Sequence, residues 1–126
     1  MTMRWDCHAQ GCYLKYLPDW GFLDGCFPRK IEPSDIDGCV ELNGRLLFLE
    51  WKRAGATLKT GQRKMFEAAT RHGNIAVFVI FGDPLTNAVK SLQEIHMGKV
   101  KNMKPCGNGD LRKRCEKWAQ WAEVGT

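Results

Sequence analysis

The fold of this chain is decided by residues 34–52, which read SDIDGCVELNGRLLFLEWK. At the centre of this stretch Asn43-Gly44 separates two apolar-rich runs. This is the strongest short-range signal for a β-hairpin, because both turn residues must accept a positive φ. A two-residue turn pairs Leu42 with Arg45 and thereby fixes the register of every further pair. The stretch therefore predicts a hairpin whose pairs can be counted outward from the turn.

This register predicts which side chains share a face of the hairpin. Asp37 lies opposite Glu50 and Asp35 lies opposite Lys52, and the alternation of side chains places all four on one face. The other face carries the apolar residues Ile36, Val40, Leu47, Leu49 and Trp51. We expect the apolar face to form the core and the polar face to carry the chemistry.

The polar face brings two acids close together. Directly opposed side chains in a sheet have Cβ atoms about 5 Å apart, a distance at which like charges are destabilising. A divalent cation between Asp37 and Glu50 offsets this repulsion, and Mg²⁺ favours one or two carboxylates, retained waters and a substrate phosphate. The alternative is a solvated hairpin face with an ordinary salt bridge between Asp35 and Lys52, which leaves the acidic pair unexplained.

The same residues resemble a known family. Asp37, then Glu50-Trp51-Lys52 at the end of an apolar strand, then Gln62 near the start of a helix, are similar to the pattern of the PD-(D/E)XK nuclease superfamily, in particular its small phage and virus-type replication-repair branches. The resemblance covers residues 33–81. The sequence departs from the pattern where Ser34 separates Pro33 from Asp35, which leaves open whether Asp35 or Asp37 is the principal acid. We choose Asp37 because it faces Glu50.

The resemblance implies an α/β domain with a central mixed β-sheet flanked by helices, as in restriction endonucleases. It also implies a metal-dependent phosphodiesterase in which Asp37, Glu50 and the main-chain carbonyl of Trp51 hold Mg²⁺ or Mn²⁺. Lys52 would position or activate the attacking water, and Gln62 would orient that water or the lysine. Members of the superfamily often add an acid from an N-terminal helix. The candidates for this acid are Asp6, Asp19, Asp24 and Glu32, none of which has a convincing register.

Basic residues are concentrated after the hairpin. Residues 1–50 carry eight acids and five bases, whereas residues 51–126 carry six acids and fourteen bases. Close to the acidic pair, four bases follow Lys52 without an intervening acid, namely Arg53, Lys59, Arg63 and Lys64. An acidic metal-binding pole beside a basic remainder favours a polyanionic substrate, DNA before RNA. The alternative is a solvated helix face, the usual place of a charge run.

Length and composition indicate one globular domain of 126 residues, with 44% hydrophobic and 26% charged residues. We expect its core over about residues 33–81, a segment rich in Cys and Trp over 1–32 with a short helix near 11–16, and an amphipathic C-terminal helix over about 110–124. The longest apolar run, residues 75–81, is far shorter than the roughly 20 residues that span a bilayer. The charged start lacks the apolar core of a secretory leader. We therefore expect a cytoplasmic protein without a membrane partner, in the host cytoplasm if phage-encoded, with reduced cysteines.

Hydrophobic patterning predicts the remaining elements. Residues 61–71 favour a helix with Met65, Ala68 and Ala69 on its inner face, and residues 75–81 favour a strand that is buried on both sides. The order of hairpin, helix and buried strand is typical of a crossover to a parallel neighbour. Residues 87–100 fit a helix or a strand that ends at Gly98, with the strand favoured, and residues 99–108 are expected to form a loop.

The C-terminal helix should begin with Asp110 as its N-cap. Its expected inner stripe consists of Leu111, Cys115, Trp118 and Ala122. Trp118 and Trp121 could stack on the bases of a single strand, although tryptophans with this spacing more often belong to a core or a partner surface. Cysteines at both ends of the chain allow a structural Zn²⁺ on Cys7, His8, Cys12, Cys106 and Cys115, but their loose spacing favours free, buried thiols.

These patterns together predict a Mg²⁺-dependent endonuclease. The first alternative is a non-catalytic nucleic-acid-binding protein on the same scaffold, and the second is a protein-interaction module such as an inhibitor of a host enzyme. A chain of 126 residues offers little surface to hold a duplex, so a homodimer would suit the predicted activity.

Overall fold

A computed structural model of the chain describes residues 19–124. They belong to two compact units, and the boundary along the chain lies between Ser34 and Asp35. Residues 19–34 form two short 3₁₀ helices, Trp20–Leu23 and Pro28–Lys30, without a buried side chain. The helix expected near residues 11–16 lies outside the described residues.

Residues 35–124 form an α/β domain with a mixed sheet and two helices. The strands are β1 (Gly38–Leu42), β2 (Arg45–Arg53), β3 (Ile75–Asp83), β4 (Ala88–His96), β5 (Lys99–Val100) and β6 (Lys104–Pro105). The helices are α1 (Thr60–Thr70) and α2 (Asn108–Val124). The sheet order is β1-β2-β3-β4-β5, with β6 also paired to β4. Strands β2 and β3 are parallel and the other pairs are antiparallel, which confirms the expected mixed sheet and the crossover through α1.

The hairpin has the predicted register but a shorter first strand. Leu42 pairs with Arg45 and Gly38 pairs with Leu49, and the turn residues Asn43 and Gly44 have φ values of 54° and 80°. The pairing stops at Gly38, so the expected pairing of Asp35 with Lys52 is wrong, and the expected pairing of Asp37 with Glu50 also lies beyond the end of β1. Val40 on the edge strand β1 and Ile36, which precedes that strand, are both exposed instead of joining the core.

Apolar cores cover both faces of the sheet, so the apolar face of the hairpin is not the only face that contributes to a core. The α2-side core contains Leu47, Ala76, Phe78, Ile80, Val89, Leu92, Cys106, Trp118 and Ala122. The α1-side core contains Phe66, Val77, Val79, Phe81 and Ile95. Strand β3 contributes alternate residues to both cores, which confirms that it is buried on both sides. Phe48, on the polar face of the hairpin, packs against the α1-side core.

Helix α1 presents a different face from the one predicted. Phe66 and Thr70 are buried, Met65 and Ala69 are half-buried, and Ala68 is exposed. The helix turns Phe66 inward because its large side chain buries more apolar area than an alanine does. The Thr70 hydroxyl donates to the Phe66 carbonyl over 2.8 Å and accepts from the Gly98 amide over 3.1 Å. This pair of hydrogen bonds joins the end of α1 to the turn between β4 and β5.

The region after β3 follows the strand interpretation. Strand β4 ends at His96, two residues before the predicted end, because Met97 and Gly98 form a turn with φ values of 54° and 76°. The expected loop over residues 99–108 contains the short strands β5 and β6.

Helix α2 has the predicted inner stripe, with Trp118 and Ala122 buried and Leu111 and Cys115 packed against the same core. The helix begins at Asn108, so Asp110 lies inside its first turn and accepts from the Gly107 amide over 2.9 Å. Within residues 19–124, neither helix has the length and apolar character needed to cross a membrane.

A matched pair of leucine substitutions tests this packing. Leu92 is 1% exposed in the α2-side core and Leu85 is 72% exposed. We expect Leu92→Ala to lower the free energy of unfolding by about 2–5 kcal/mol, because it removes buried methyl groups and leaves a cavity. Leu85→Ala should change it by less than about 0.5 kcal/mol. Urea unfolding of both variants measures the difference, and equal losses would contradict the assigned core.

Candidate metal centre

The candidate site is built around a buried carboxylate on β2. Glu50 is only 5% exposed and lies on the α1 side of the sheet, next to Val79 of β3. A buried carboxylate is costly unless it is paired and hydrogen-bonded. The hydrogen-bond and ion-pair partners of Glu50 therefore indicate whether this carboxylate only stabilises the fold or belongs to a functional site.

Two of the predicted site residues hold one oxygen of this carboxylate. Gln62 Nε2 donates to Glu50 Oε2 over 2.6 Å, and Lys52 Nζ lies 3.3 Å from the same oxygen. Lys52 reaches Glu50 because it lies two residues further along the same face of β2. Gln62 reaches it because it lies one turn before Phe66 on the inner face of α1, and Phe66 is anchored in the α1-side core.

Asp37 reaches the site through the backbone of β2. Its Oδ2 accepts from the Trp51 amide over 2.7 Å. Continuation of the hairpin would put Ile36 opposite Trp51, so the Asp37 side chain takes the acceptor role that the Ile36 carbonyl would have in a longer strand. The N–H and C=O groups of one strand residue point to the same edge. The Trp51 carbonyl is therefore directed to the edge where Asp37 lies.

The pKa of the Glu50 carboxyl group is raised by its surroundings. Burial raises the pKa of Glu50 above its usual 4.5, and the negative charge of Asp37 raises it further. The hydrogen bonds and charge of Lys52 and Gln62 act in the opposite direction but do not cancel the rise in pKa. The fold thus holds a carboxylate that resists ionisation unless more positive charge is supplied.

Two buried oxygens of this cluster have no hydrogen-bond donor, Glu50 Oε1 and Gln62 Oε1. Buried acceptors without a partner are rare in native proteins and indicate a water or an ion. Carboxylate, amide and main-chain oxygens are hard ligands, and Mg²⁺ and Mn²⁺ prefer them. The donor set of Asp37, Glu50 and the Trp51 carbonyl therefore fits either ion.

Among residues 19–124 no group of three or more His, Cys, Asp or Glu side chains could hold a metal. The candidate centre differs from such a group, because it has two carboxylates and one main-chain oxygen. A Mg²⁺ ion characteristically keeps several waters, so two carboxylates are sufficient for it.

The predicted nucleic-acid-binding residues lie between the site strand and the first turns of α1. Arg53 ends β2, Lys59 directly precedes α1, and Arg63 and Lys64 lie in its first two turns, all with exposed side chains. Arg63 forms a surface ion pair with Glu67 over 3.4 Å. Exposed pairs of this kind contribute little stability, so they leave the guanidinium able to exchange partners.

The remaining acids that were considered for the site are Asp35 and four residues of the N-terminal segment. Asp35 is exposed before β1 and forms no ion pair with Lys52, whose partner is Glu50. Asp19, Asp24 and Glu32 belong to the unit of residues 19–34, and Asp6 lies outside the described residues.

The zinc hypothesis involves Cys7, His8 and Cys12, which lie outside residues 19–124. The remaining two thiols, Cys106 and Cys115, are free and pack with the α2-side core. Burial raises the pKa of both thiols. They are therefore protonated at neutral pH and behave as small hydrophobic side chains.

A second buried acid was not found from the sequence. Glu94 of β4 is held by Arg114 through a bidentate contact of 2.9 and 3.0 Å and by Lys104 over 3.2 Å. Burial of Glu94 acts to raise its pKa, but the hydrogen bonds and charges of Arg114 and Lys104 outweigh this and lower it. The only available signal was the alternation of Leu92 and Glu94 along β4, which puts the acid on the inner face.

No family model, curated protein or solved structure matches this chain. The interpretation of the site therefore depends on the geometry above and on the residues that resemble the nuclease pattern.

The raised pKa of Glu50 gives a pH test. The protonated Glu50 contributes to the free energy of unfolding below pH 4.5, the pKa of a glutamate in the unfolded chain. This contribution is lost as the pH rises through the higher pKa of Glu50 in the folded protein. In EDTA we therefore expect Glu50→Gln, which removes the charge, to unfold at higher denaturant than the wild type at neutral pH. This gain should shrink as the pH falls towards 4.5.

The matched control is Glu116→Gln on the exposed face of α2. Its difference from the wild type should stay constant across the same pH range. Lower stability of Glu50→Gln than of the wild type at neutral pH in EDTA would contradict the assigned cause of the pKa shift.

Proposed function

We propose that this protein is a Mg²⁺- or Mn²⁺-dependent nuclease that hydrolyses phosphodiester bonds, with DNA as its substrate and endonucleolytic cleavage as its mode. The observation that carries this function is the contact of buried Glu50 with both Lys52 and Gln62. These three residues and Asp37 resemble the PD-(D/E)XK pattern in their order along the chain.

The topology around the site supports the same function. A hairpin delivers Glu50 and Lys52, a crossover helix delivers Gln62, and the next strand runs parallel to the second strand of the hairpin. This is the arrangement expected of a restriction-endonuclease-like core. The proposed fold type thus accounts for the convergence of residues that are far apart in sequence.

The proposed mechanism assigns one task to each side chain. Asp37, Glu50 and the Trp51 carbonyl would hold the ion, which when bound supplies Lewis acidity and lowers the pKa of a bound water. Lys52, which lies 3.3 Å from Glu50, would donate to the phosphate and stabilise negative charge there. Gln62 Oε1 has no donor, so it can accept a hydrogen bond from the attacking water and orient it.

The charge distribution supports a nucleic-acid substrate. The chain has a formal net charge of +5, and Arg53, Lys59, Arg63 and Lys64 would contact phosphates beside the site. Phosphate contacts position a strand without reading its sequence. A homodimer would extend this basic surface, and a cytoplasmic location would give access to nucleic acid.

Cleavage assays on supercoiled plasmid and branched DNA test the activity. With Mg²⁺ we expect cleavage that EDTA abolishes. Asp37→Ala, Glu50→Ala and Lys52→Ala should each lower the rate by about 10²–10³-fold or more, because each removes stabilisation of transition-state charge. Glu116→Ala and Lys113→Ala change exposed residues of α2 and should cleave at the wild-type rate.

The same assays separate the alternatives. DNA binding that weakens with salt, without cleavage under any metal, would support a non-catalytic nucleic-acid-binding protein. Absence of salt-dependent DNA affinity, together with one specific protein partner, would support an interaction or inhibitor module.

Metal binding can be measured without activity. Mg²⁺ at about 100 times its Kd should raise the free energy of unfolding by about 2.7 kcal/mol, because it binds the folded state alone. Glu50→Gln should lose this gain, whereas Glu116→Gln should keep it. Denaturant unfolding with and without Mg²⁺ gives both values, and equal gains in the two variants would place the metal elsewhere.

A further inference from the structure

A cavity of about 250 Å³ lies between β4 and α2. Its walls include Phe78, Glu94, Lys101, Lys117, Trp118 and Trp121. Phe78 and Trp118 belong to the α2-side core, whereas Glu50 lies on the α1 side. The cavity is therefore on the opposite face of the sheet from the candidate metal centre.

The charged residues around this cavity favour an anion. Both oxygens of Glu94 are engaged, one by Arg114 and the other by Arg114 and Lys104. The single acid is thus more than neutralised by two cations. Lys101 and Lys117 are exposed and form no ion pair with any residue of the described range 19–124. They leave the mouth of the cavity with uncompensated positive charge.

One buried donor in the wall lacks an acceptor. Trp118 is 4% exposed, and its indole Nε1 has no hydrogen-bond partner. An indole N–H can only donate, and leaving it unpaired inside the protein is costly.

The outer wall is a fixed aromatic surface. The Arg45 guanidinium lies 3.9 Å from the centre of the Trp121 ring, and Arg45 also donates to the Trp121 carbonyl over 3.0 Å. The His96 ring meets Trp121 edge-on at 6.2 Å. Deeper in the cavity, Arg114 covers Phe78 at 4.9 Å. Walls that are already ordered lose little entropy when a flat ligand binds.

We propose that this cavity binds a nucleoside monophosphate unit, with the base between the aromatic walls and the phosphate at Lys101 and Lys117. A base offers a flat aromatic ring that can pack against the Trp118 and Trp121 side chains lining the cavity. An aromatic carboxylate carries one negative charge, fewer than the two that a phosphate monoester can offer to two lysines. Pockets for drug-sized ligands hold roughly 300–1,000 Å³, so a cavity of about 250 Å³ suits one nucleotide and excludes a dinucleotide.

The nucleotide can be a free molecule or the phosphorylated end of a strand, since both present a base and a terminal phosphate. The site does not depend on the proposed nuclease activity, because it shares no residue with the Glu50 cluster. Binding is therefore measured in EDTA, where cleavage is absent.

Isothermal titration with adenosine 5′-monophosphate, adenosine, inorganic phosphate and a short single strand with or without a 5′-phosphate tests the site. We expect the monophosphate to bind more tightly than adenosine or phosphate alone. Lys101→Gln with Lys117→Gln should weaken this binding by about tenfold, because charge-assisted contacts to the phosphate are lost. Lys113→Gln changes an exposed lysine of α2 outside the cavity and should bind as the wild type does.

A nuclear magnetic resonance readout follows the buried donor. The Trp118 indole N–H resonance should shift on addition of the monophosphate. The Trp51 indole also lacks an acceptor but does not line the cavity, so its resonance should stay in place.

The remaining outcomes decide the source and the validity of the site. Tighter binding of the 5′-phosphorylated strand than of the free nucleotide assigns the site to strand ends, and the reverse assigns it to free nucleotides. Equal affinity for adenosine and its monophosphate, no binding of any probe, or binding unchanged in the double lysine variant would each overturn the proposal.

Discussion

The structure around the candidate site depends on the contact between the buried Glu50 carboxylate and the Gln62 amide. This contact joins the end of β2 to the first turn of α1. A carboxylate at this depth needs compensation, and Lys52 supplies part of it. Asp37 adds a negative charge nearby while its own oxygen is held by the Trp51 amide. Asp37, Glu50, Lys52 and Gln62 thus belong to one cluster. Burial of the Glu50 carboxylate in this cluster is unfavourable unless these partners compensate its charge.

The parallel pairing of β2 and β3 explains why the two faces of the sheet differ. A parallel pair needs a crossover, and here the crossover is α1, which covers one face and carries Gln62. The chain then covers the other face with α2 after an antiparallel strand. The α1 side consequently carries an acidic cluster with two unpaired acceptors, Glu50 Oε1 and Gln62 Oε1. The α2 side carries a cavity lined by cations and the unpaired donor of Trp118. The same sheet separates the two sites.

Local patterns in the sequence were sufficient for much of this. The Asn43-Gly44 turn gives the hairpin register, and the continuous apolar run of β3 gives its burial on both faces. The alternation along β2 brings Glu50 and Lys52 together. The errors occurred where the outcome depends on distant residues. Asp35 was paired too far from the turn because the end of β1 depends on the Asp37 side chain. The inner face of α1 depends on how Phe66 fits the sheet, and the burial of Glu94 depends on Arg114, which belongs to another element.

Thr70 has a consequence for the mechanics of the domain. Its hydroxyl fastens the last turn of α1 to the loop beyond β4, while Gln62 fastens the first turn to β2. Hydrogen bonds thus attach the two ends of α1 to the sheet, one at β2 and the other at the turn after β4, on either side of β3. A pinned helix cannot slide or pivot without breaking one of its attachments. The orientation of the Gln62 amide at Glu50 therefore depends on both attachments of α1 to the sheet.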